Sequence, residues 1–323
     1  MTSLKDKRIL VTGGTGFLGQ AVVRRLRAVA PLADVAAASR RDCNFTDAPQ
    51  TARFFRRNCP DVIIHLAANV GGIGKNQAEP ATIMHDNLAM GVNVVNAACE
   101  HGAKLVYVGT TCSYPRDLPM PYTETGLWNG YPEATNAPYG IAKKAIGEFV
   151  IACHRQHGLK AAYLLPANLY GPGDNFDPAT SHVIPAMIRR FVEAKERGEP
   201  EVTCWGTGNA SREFLYVDDA ADAIVRAAEV VDTPEPINLA GAATMSIRMV
   251  ANHIANWIGY EGKVLWDTSK PDGQPARMLD GARAWERLKW GPTTDFQAGI
   301  GKTINWYSKS RGQLHGHENV AVI

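Results

Sequence analysis

Tyr139 and Lys143 stand four residues apart at the head of a helix-like stretch. Four residues turn an α-helix by about 400°, so both side chains share one face. A phenol with a pKa of about 10 is a poor acid or base near neutrality, and a neighbouring ammonium favours the phenolate. A hydroxyl beside the tyrosine completes a site that polarises a ketone. Thr110 and Thr111, at the end of an apolar run upstream, are the candidates. Strand ends of this kind are where open α/β sheets bind ligands.

A second constellation lies near the start of the chain. Gly13-Gly14-Thr15-Gly16-Phe17-Leu18-Gly19 separates the strand-like Arg8-Ile9-Leu10-Val11-Thr12 from a helical pattern. It carries G-x-G-x-x-G at Gly14, Gly16 and Gly19. Glycines there permit a tight turn and let the backbone approach a pyrophosphate, which the helix N-terminus then receives. A unit that binds NAD places an acid at the end of its second strand, but here that end reads Ser39-Arg40-Arg41. Arginine suits a 2′-phosphate, so NADP(H) is the expected cofactor, with Arg40 the first contact.

The elements needed to position these groups are legible as alternating patterns. Short apolar runs at 9–12, 35–39, 62–66, 104–109 and 161–166 alternate with helical stretches at 16–28, 48–58, 85–101 and 138–158. That alternation predicts an α/β fold, a Rossmann doubly wound parallel sheet with both faces covered. After about Tyr170 the rhythm changes and glycine and proline become frequent. A smaller C-terminal substrate-binding lobe is expected over 171–212 and 243–312. Residues 1–170, with returning segments near 213–242, form the NADP-binding domain, and 313–323 a loose tail.

Composition bounds the partners. The 323 residues carry a formal net charge of +2, with 45% hydrophobic and 20% charged residues, which gives no electrostatic footprint for nucleic acid. No apolar run approaches the roughly 18 residues of a membrane span, and no signal-peptide pattern opens the chain. The six cysteines are scattered without metal-binding spacing, so no metal site is expected. They read as reduced thiols of a cytoplasmic protein.

With these motifs in place, the sequence resembles the extended short-chain dehydrogenase/reductases, and within them the GDP-L-fucose synthase family. The telling stretches are Ala68-Asn69-Val70-Gly71-Gly72-Ile73, Gly109-Thr110-Thr111-Cys112-Ser113-Tyr114-Pro115 and Ser181-His182-Val183-Ile184-Pro185. Glu133-Ala134-Thr135-Asn136-Ala137-Pro138-Tyr139, Trp205-Gly206-Thr207-Gly208 and Arg212-Glu213-Phe214-Leu215 add to them. The family epimerises GDP-4-keto-6-deoxy-mannose at C3 and C5 and reduces it at C4 with NADPH. The resemblance implies that Thr110, Tyr139 and Lys143 serve reduction and that Cys112 and His182 serve epimerisation. Thr110 stands where that family carries serine, and the hydroxyl is retained.

The resemblance also implies substrate contacts at Arg190, Trp205, Arg212 and Arg277. Beyond Gly13, Thr15, Gly16, Phe17, Leu18, Gly19 and Arg40, it implies cofactor contacts at Asn44, Phe45, Leu66, Ala67, Ala68, Pro166, Asn168, Leu169 and His182, besides Tyr139 and Lys143. It implies a homodimer paired through the helices at 85–101 and 138–158. The chemistry of the epimerase pair is coherent. The C3 and C5 protons lie α to the C4 ketone, a thiol is a usable base and a histidine a usable acid. Taken without the motifs, a buried structural thiol and a capping or core histidine are the better explanation of the two residues, and the local motifs reverse that. The same fold also carries 4-ketoreductases and epimerases of other nucleotide-linked deoxysugars, and non-catalytic NADP-binding sensors or scaffolds. The presence of both Tyr139 and Lys143 speaks for an enzyme.

Overall fold

The computed structural model describes residues 3–318 apart from Ala179, Pro271 and Gly273, with the side chains of Ile73 and of 312–318 left aside. The chain begins with β1 (Arg8–Thr12), α1 (Phe17–Val29), β2 (Asp34–Ala38), α2 (Ala48–Asn58), β3 (Val62–His65), α3 (Ile73–Ala78), α4 (Pro80–His101) and β4 (Lys104–Val108). Then follow α5 (Ala137–His157), β5 (Ala161–Pro166), β6 (Asn168–Tyr170), α6 (Val183–Arg197), β7 (Glu201–Trp205), β8 (Ser211–Tyr216) and α7 (Val217–Val230). The last elements are β9 (Pro236–Leu239), β10 (Ala243–Ser246), α8 (Ile247–Ile258), β11 (Lys263–Asp267), α9 (Ala282–Leu288) and α10 (Phe296–Glu318).

Six strands form one parallel sheet in the order β2-β1-β3-β4-β5-β9. Strands β3, β4 and β5 are buried along their whole length, as continuous apolar runs require when helices cover both faces. Helices α1 and α7 pack together, as do α2, α4 and α5. The chain turns outward from β1 to β2 and then crosses back to β3, so the switch point lies between β1 and β3. The glycine loop and residues 66–68 both emerge there, where open α/β sheets bind ligands.

A second hydrophobic cluster joins Tyr170 and Phe176 to α6, β7, β8, α8 and α10. Two small sheets, β10-β8-β6 and β11-β7, belong to this part of the chain. The chain returns to the main sheet through α7 and β9. In contrast, Ala284, Leu288 and Trp290 of the segment expected in the substrate lobe pack into the first cluster. Helix α4 starts at Pro80 rather than at 85, because a proline suits the first helical turn, where its missing N–H is not needed. The loose tail expected from 313 is corrected in part. Residues 313–318 continue α10, whose earlier turns are anchored by Ile300, Ile304 and Tyr307, while 319–323 lie outside the described residues.

The glycine loop explains its own composition. Gly13 has a φ of +69°, and a Cβ there would lie 2.9 Å from the Ala67 nitrogen. A Cβ on Gly19 would fall 2.1 Å from the Gly13 carbonyl oxygen, so α1 closes directly onto the loop. Backbone cannot yield as a flexible side chain does, and overpacking of this kind destabilises by roughly 1–3 kcal/mol. Gly19→Ala is expected to lower the melting temperature and to weaken NADPH binding at least tenfold in a fluorescence titration. Unchanged binding would show that the loop does not depend on this contact.

Candidate active site

Helix α5 brings the tyrosine to the end of β4 through a contact only glycine allows. A Cβ on Gly140 would lie 2.2 Å from the Cys112 carbonyl oxygen. The Ser113 hydroxyl donates to the Gly140 carbonyl at 2.8 Å, tying the first turn of α5 to the 3-10 turn Thr111–Ser113. Thr110 caps that turn, its hydroxyl accepting from the Cys112 N–H at 3.2 Å. The same hydroxyl is hydrogen-bonded to Tyr139. Of the two candidate threonines, Thr110 therefore meets the tyrosine and Thr111 is buried.

Lys143 is 3% exposed and forms no ion pair among the described residues. Its Nζ lies 4.7 Å over the ring of Tyr107, whose hydroxyl donates to the Lys143 carbonyl at 2.9 Å. Below them, Thr12 Oγ1 and His65 Nδ1 lie 2.7 Å apart, and the Ala67 N–H donates to the same hydroxyl at 3.3 Å. Burial, and then the Lys143 charge, push His65 down to about 3, so the ring is neutral.

The expected lowering of Tyr139 by Lys143 is not the dominant effect. Burial raises the Tyr139 pKa well above its usual value, the proximity of Cys112 adds to this, and the Thr110 hydrogen bond opposes it. The same burial pushes Lys143 down to about 7. Desolvation acts on both groups and favours their neutral forms.

Cys112 faces a second cation. Arg277 donates from NH1 to its Sγ at 3.5 Å and from NH2 to Gln274 Oε1 at 2.7 Å. Arg212 lies close by, its pKa lowered by burial first and by Arg277 next. Thr110, Tyr139, Cys112, Arg212 and Arg277 thus form one cluster where β4, α5, β8 and the segment after β11 meet. His182 precedes α6, on a segment docked to the Gly71-Gly72 turn by the Gly72 N–H donating to the Thr180 carbonyl at 3.3 Å. Its side chain borders open space, yet enough protein surrounds the ring for desolvation to favour the neutral form. It has no hydrogen bond to the Cys112 cluster. Arg190 lies against β7, donating to the Thr203 carbonyl at 2.5 Å. Trp205, at the end of β7, is 65% exposed.

Around the glycine loop, Thr15 and Gly16 are exposed, while Phe17 and Leu18 pack on the core. Leu66, Ala67 and Ala68 line the switch point half-buried, and Pro166, Asn168 and Leu169 follow at the end of β5. The Asn168 amide donates to the Glu213 carbonyl at 3.0 Å. Arg40 and Arg41 are exposed, and neither forms an ion pair among the described residues. Asp42, an acid at the strand end that sequence reasoning missed, is turned onto Ser39, accepting from its N–H at 2.8 Å and its hydroxyl at 2.6 Å. Asn44 is held by its N–H donating to Gln50 at 2.5 Å. Phe45 is a core residue, its ring 5.6 Å from that of Phe54, so its side chain is not offered to a ligand. A cavity of about 370 Å³ at the opposite, N-terminal ends of the strands, lined among others by Lys7, Arg8, His101 and Lys160, shares no residue with this cluster.

Sequence reasoning also missed the hub that joins the site's far segments. Asn238 is fully buried on β9. Its N–H donates to Glu124 at 2.9 Å and its side chain accepts from the Tyr114 hydroxyl at 2.7 Å. The same side chain donates to the Tyr122 carbonyl at 2.9 Å and the Asp280 carbonyl at 3.2 Å. Glu213, pushed up to about 7 by burial, accepts the Leu279 N–H at 3.1 Å. These bonds fix the loops that carry Cys112 and Arg277.

The profile of the NAD dependent epimerase/dehydratase family matches residues 9–240. GDP-L-fucose synthase 1 of Arabidopsis thaliana is 39% identical over 313 residues, spanning 96% of each chain. Among solved structures, a GDP-L-fucose synthetase from Naegleria fowleri bound to NADP superposes with a TM-score of 0.86 at 27% identity, over 97% of each chain. A GDP-6-OMe-4-keto-L-xylo-heptose reductase from C. jejuni gives 0.90 at 25% identity, over 96% of this chain and 100% of that one. The chain belongs to the NAD dependent epimerase/dehydratase family, an extended short-chain dehydrogenase/reductase family, and within it to the GDP-L-fucose synthase group.

The buried ammonium has a stability signature. Lys143 moves from 10.5 in the open chain to about 7 when folded. Its burial is most unfavourable below the folded value, and the penalty fades as pH rises towards 10.5, where the unfolded chain also loses the proton. Lys143→Met should therefore stabilise the fold more at pH 6 than at pH 9, by on the order of 3 kcal/mol. Urea unfolding at both pH values measures this, and an equal gain at each would contradict the buried ammonium.

Proposed function

We propose that this chain catalyses NADPH-dependent 3,5-epimerisation and 4-keto reduction of a nucleotide-linked 4-keto-6-deoxyhexose, taking GDP-4-keto-6-deoxy-D-mannose to GDP-L-fucose. The observation that carries the reading is the meeting of the Tyr139 and Thr110 hydroxyls with the Cys112 thiol in one cluster. The glycine loop fits a pyrophosphate, and the unpaired Arg40 and Arg41 fit a 2′-phosphate. Bound NADPH supplies the hydride that reaches C4.

Tyr139, kept protonated by its burial, delivers the proton to the C4 oxygen while Thr110 holds that oxygen by a second hydrogen bond. Lys143, near 7, sits where it can orient the ribose and return a proton to the tyrosine. Cys112 removes the proton from C3 or C5, and His182 gives one back on the opposite face. Both chemistries place negative charge on the same oxygen, so one pair of hydroxyls serves both. Arg190, Trp205 and Arg212 hold the sugar nucleotide, the two arginines on its diphosphate. A second reading, a 4-ketoreductase acting on a related GDP-linked sugar without epimerisation, is favoured by the likeness to the heptose reductase.

The two steps separate by mutation. Tyr139→Phe is expected to abolish NADPH oxidation, by at least a hundredfold, while some exchange of the C3 or C5 protons with deuterated solvent survives. Cys112→Ser should suppress that exchange and leave an unepimerised 4-reduced sugar. NMR of the sugar protons beside NADPH absorbance distinguishes the outcomes, and reduction without any exchange in the wild type leaves the second reading.

We further place the protein in the cytoplasm as a homodimer, with 1–170 and 213–242, joined by α9, holding NADP and the other segments up to 312 the sugar. All six cysteines are free, and no described helix is long and apolar enough to cross a membrane. Helices α4 and α5 lie side by side, and each carries a partly exposed stripe at four-residue spacing: Met84, Leu88 and Val92 on α4, and Ile141, Ala145 and Phe149 on α5. Such stripes suit an isologous four-helix contact. Light scattering at micromolar concentration should give twice the chain mass of 35.0 kDa, and a monomer would remove this assembly.

A further inference from the structure

Arg277 is 7% exposed, and among the described residues no carboxylate pairs with it. Its nearest fixed partner is neutral: Gln274, itself 7% exposed, whose amide donates to the Arg116 carbonyl at 2.9 Å and to the Tyr122 hydroxyl at 2.7 Å. The Nε of Arg277 has no hydrogen-bond partner among the described residues. The remaining fork nitrogen, NH1, meets the Cys112 sulfur at 3.5 Å. A guanidinium taken from water without an anion is strongly unfavourable, and an anion beside it recovers much of that. Among the described residues, the thiol is the one group within hydrogen-bonding range of Arg277 that becomes an anion. The other ionisable groups facing this sulfur are Tyr139 from α5 and Arg212 from β8, with Glu133 interacting with Arg212 from farther out. Its own turn contributes only the Thr110 hydroxyl, on its backbone N–H.

We propose that Arg277 is a positioning residue for proton abstraction: its guanidinium, clamped by Gln274, is the counter-ion of the Cys112 thiolate rather than a contact to the nucleotide diphosphate. This rests on Cys112 acting as the epimerisation base. In that step the C–H bond at C3 or C5 breaks, an S–H bond forms, and the electron pair moves onto the C4 oxygen. The electron pair then returns from the C4 enolate to carbon, which takes a proton from the protonated form of His182; the histidine regains a proton from solvent, and the thiol releases its own to solvent. Arg277 stays protonated throughout. Lysine keeps the charge but has no planar fork to reach Gln274 and sulfur together, so it replaces arginine only in part.

The test is alkylation of Cys112 by iodoacetamide in the enzyme without substrate, read on the Cys112 peptide by mass spectrometry from pH 5.5 to 9.5. In Arg277→Met the reactivity profile should move by about one pH unit or more towards alkaline pH relative to wild type. Arg277→Lys should fall between, and it supplies the comparison if the methionine variant does not fold. With GDP-4-keto-6-deoxy-mannose, kcat for C3 and C5 solvent exchange in Arg277→Lys should drop about tenfold with KM within threefold. Superimposable alkylation profiles, or a raised KM with exchange kcat intact, would overturn the proposal. Absence of exchange in the wild type would instead sink the epimerase reading, while the alkylation comparison stays readable.

Discussion

Two basic side chains are held out of water without a carboxylate to neutralise them, Arg277 as a cation and Lys143 pushed by burial to about 7, and the arrangement of the site follows from where they lie. Lys143 rests over the face of Tyr107, and Arg277 is gripped by Gln274. Several of the surrounding groups are neutral: His65 is kept uncharged by burial, and Thr110, Tyr122 and Gln274 offer only dipoles, while Arg212 adds a further positive group beside Arg277. An interior of this kind is poorly suited to holding more positive charge and well suited to holding negative charge that appears briefly. In the proposed reaction the ketone oxygen during reduction, the same oxygen during enolate formation, and the thiolate that would start epimerisation are all charges of that sort. The unfavourable burial of Lys143 and Arg277 is thus spread over the fold, and the site gains a fixed field in return.

Holding those side chains in place demands contacts that are far apart in the chain but rigid in space. Gly140 lets α5 touch the turn carrying Cys112, so Tyr139 and the thiol are set by one backbone contact. Asn238 spans the loops on either side and joins the 114–124 segment to the chain near Asp280. Because β9 is the last strand of the main sheet, Asn238 also anchors those loops to the same scaffold that carries the glycine loop. In the proposed reading one sheet would thus position both the hydride donor and the proton donors. His182 is the exception. It belongs to a segment before α6 that touches this scaffold through the Gly71-Gly72 turn.

Much of this was legible in the sequence because the informative features are local. The glycine loop, the Tyr139–Lys143 spacing and the buried runs of β3 to β5 each reveal themselves within a dozen residues. What stayed hidden depends on partners distant in sequence. Asn238 and Tyr114 are 124 positions apart, and Gln274 and Arg116 are 158 apart, so no periodicity announces either pair. Phe45, read as a cofactor contact from the resemblance, is a core ring because Phe54 and Phe55 from α2 enclose it. The effect of Lys143 on Tyr139 was expected from charge alone. Burial, which spacing does not disclose, reverses its weight.

The central claim is that one buried oxyanion site serves both hydride reduction and enolate chemistry. Wild-type protein incubated with GDP-4-keto-6-deoxy-D-mannose and NADPH in D2O tests it in a single product spectrum. The account predicts GDP-L-fucose carrying deuterium at both C3 and C5, with one NADPH consumed per product. A 4-reduced sugar nucleotide that retains its original hydrogens at C3 and C5 would contradict it.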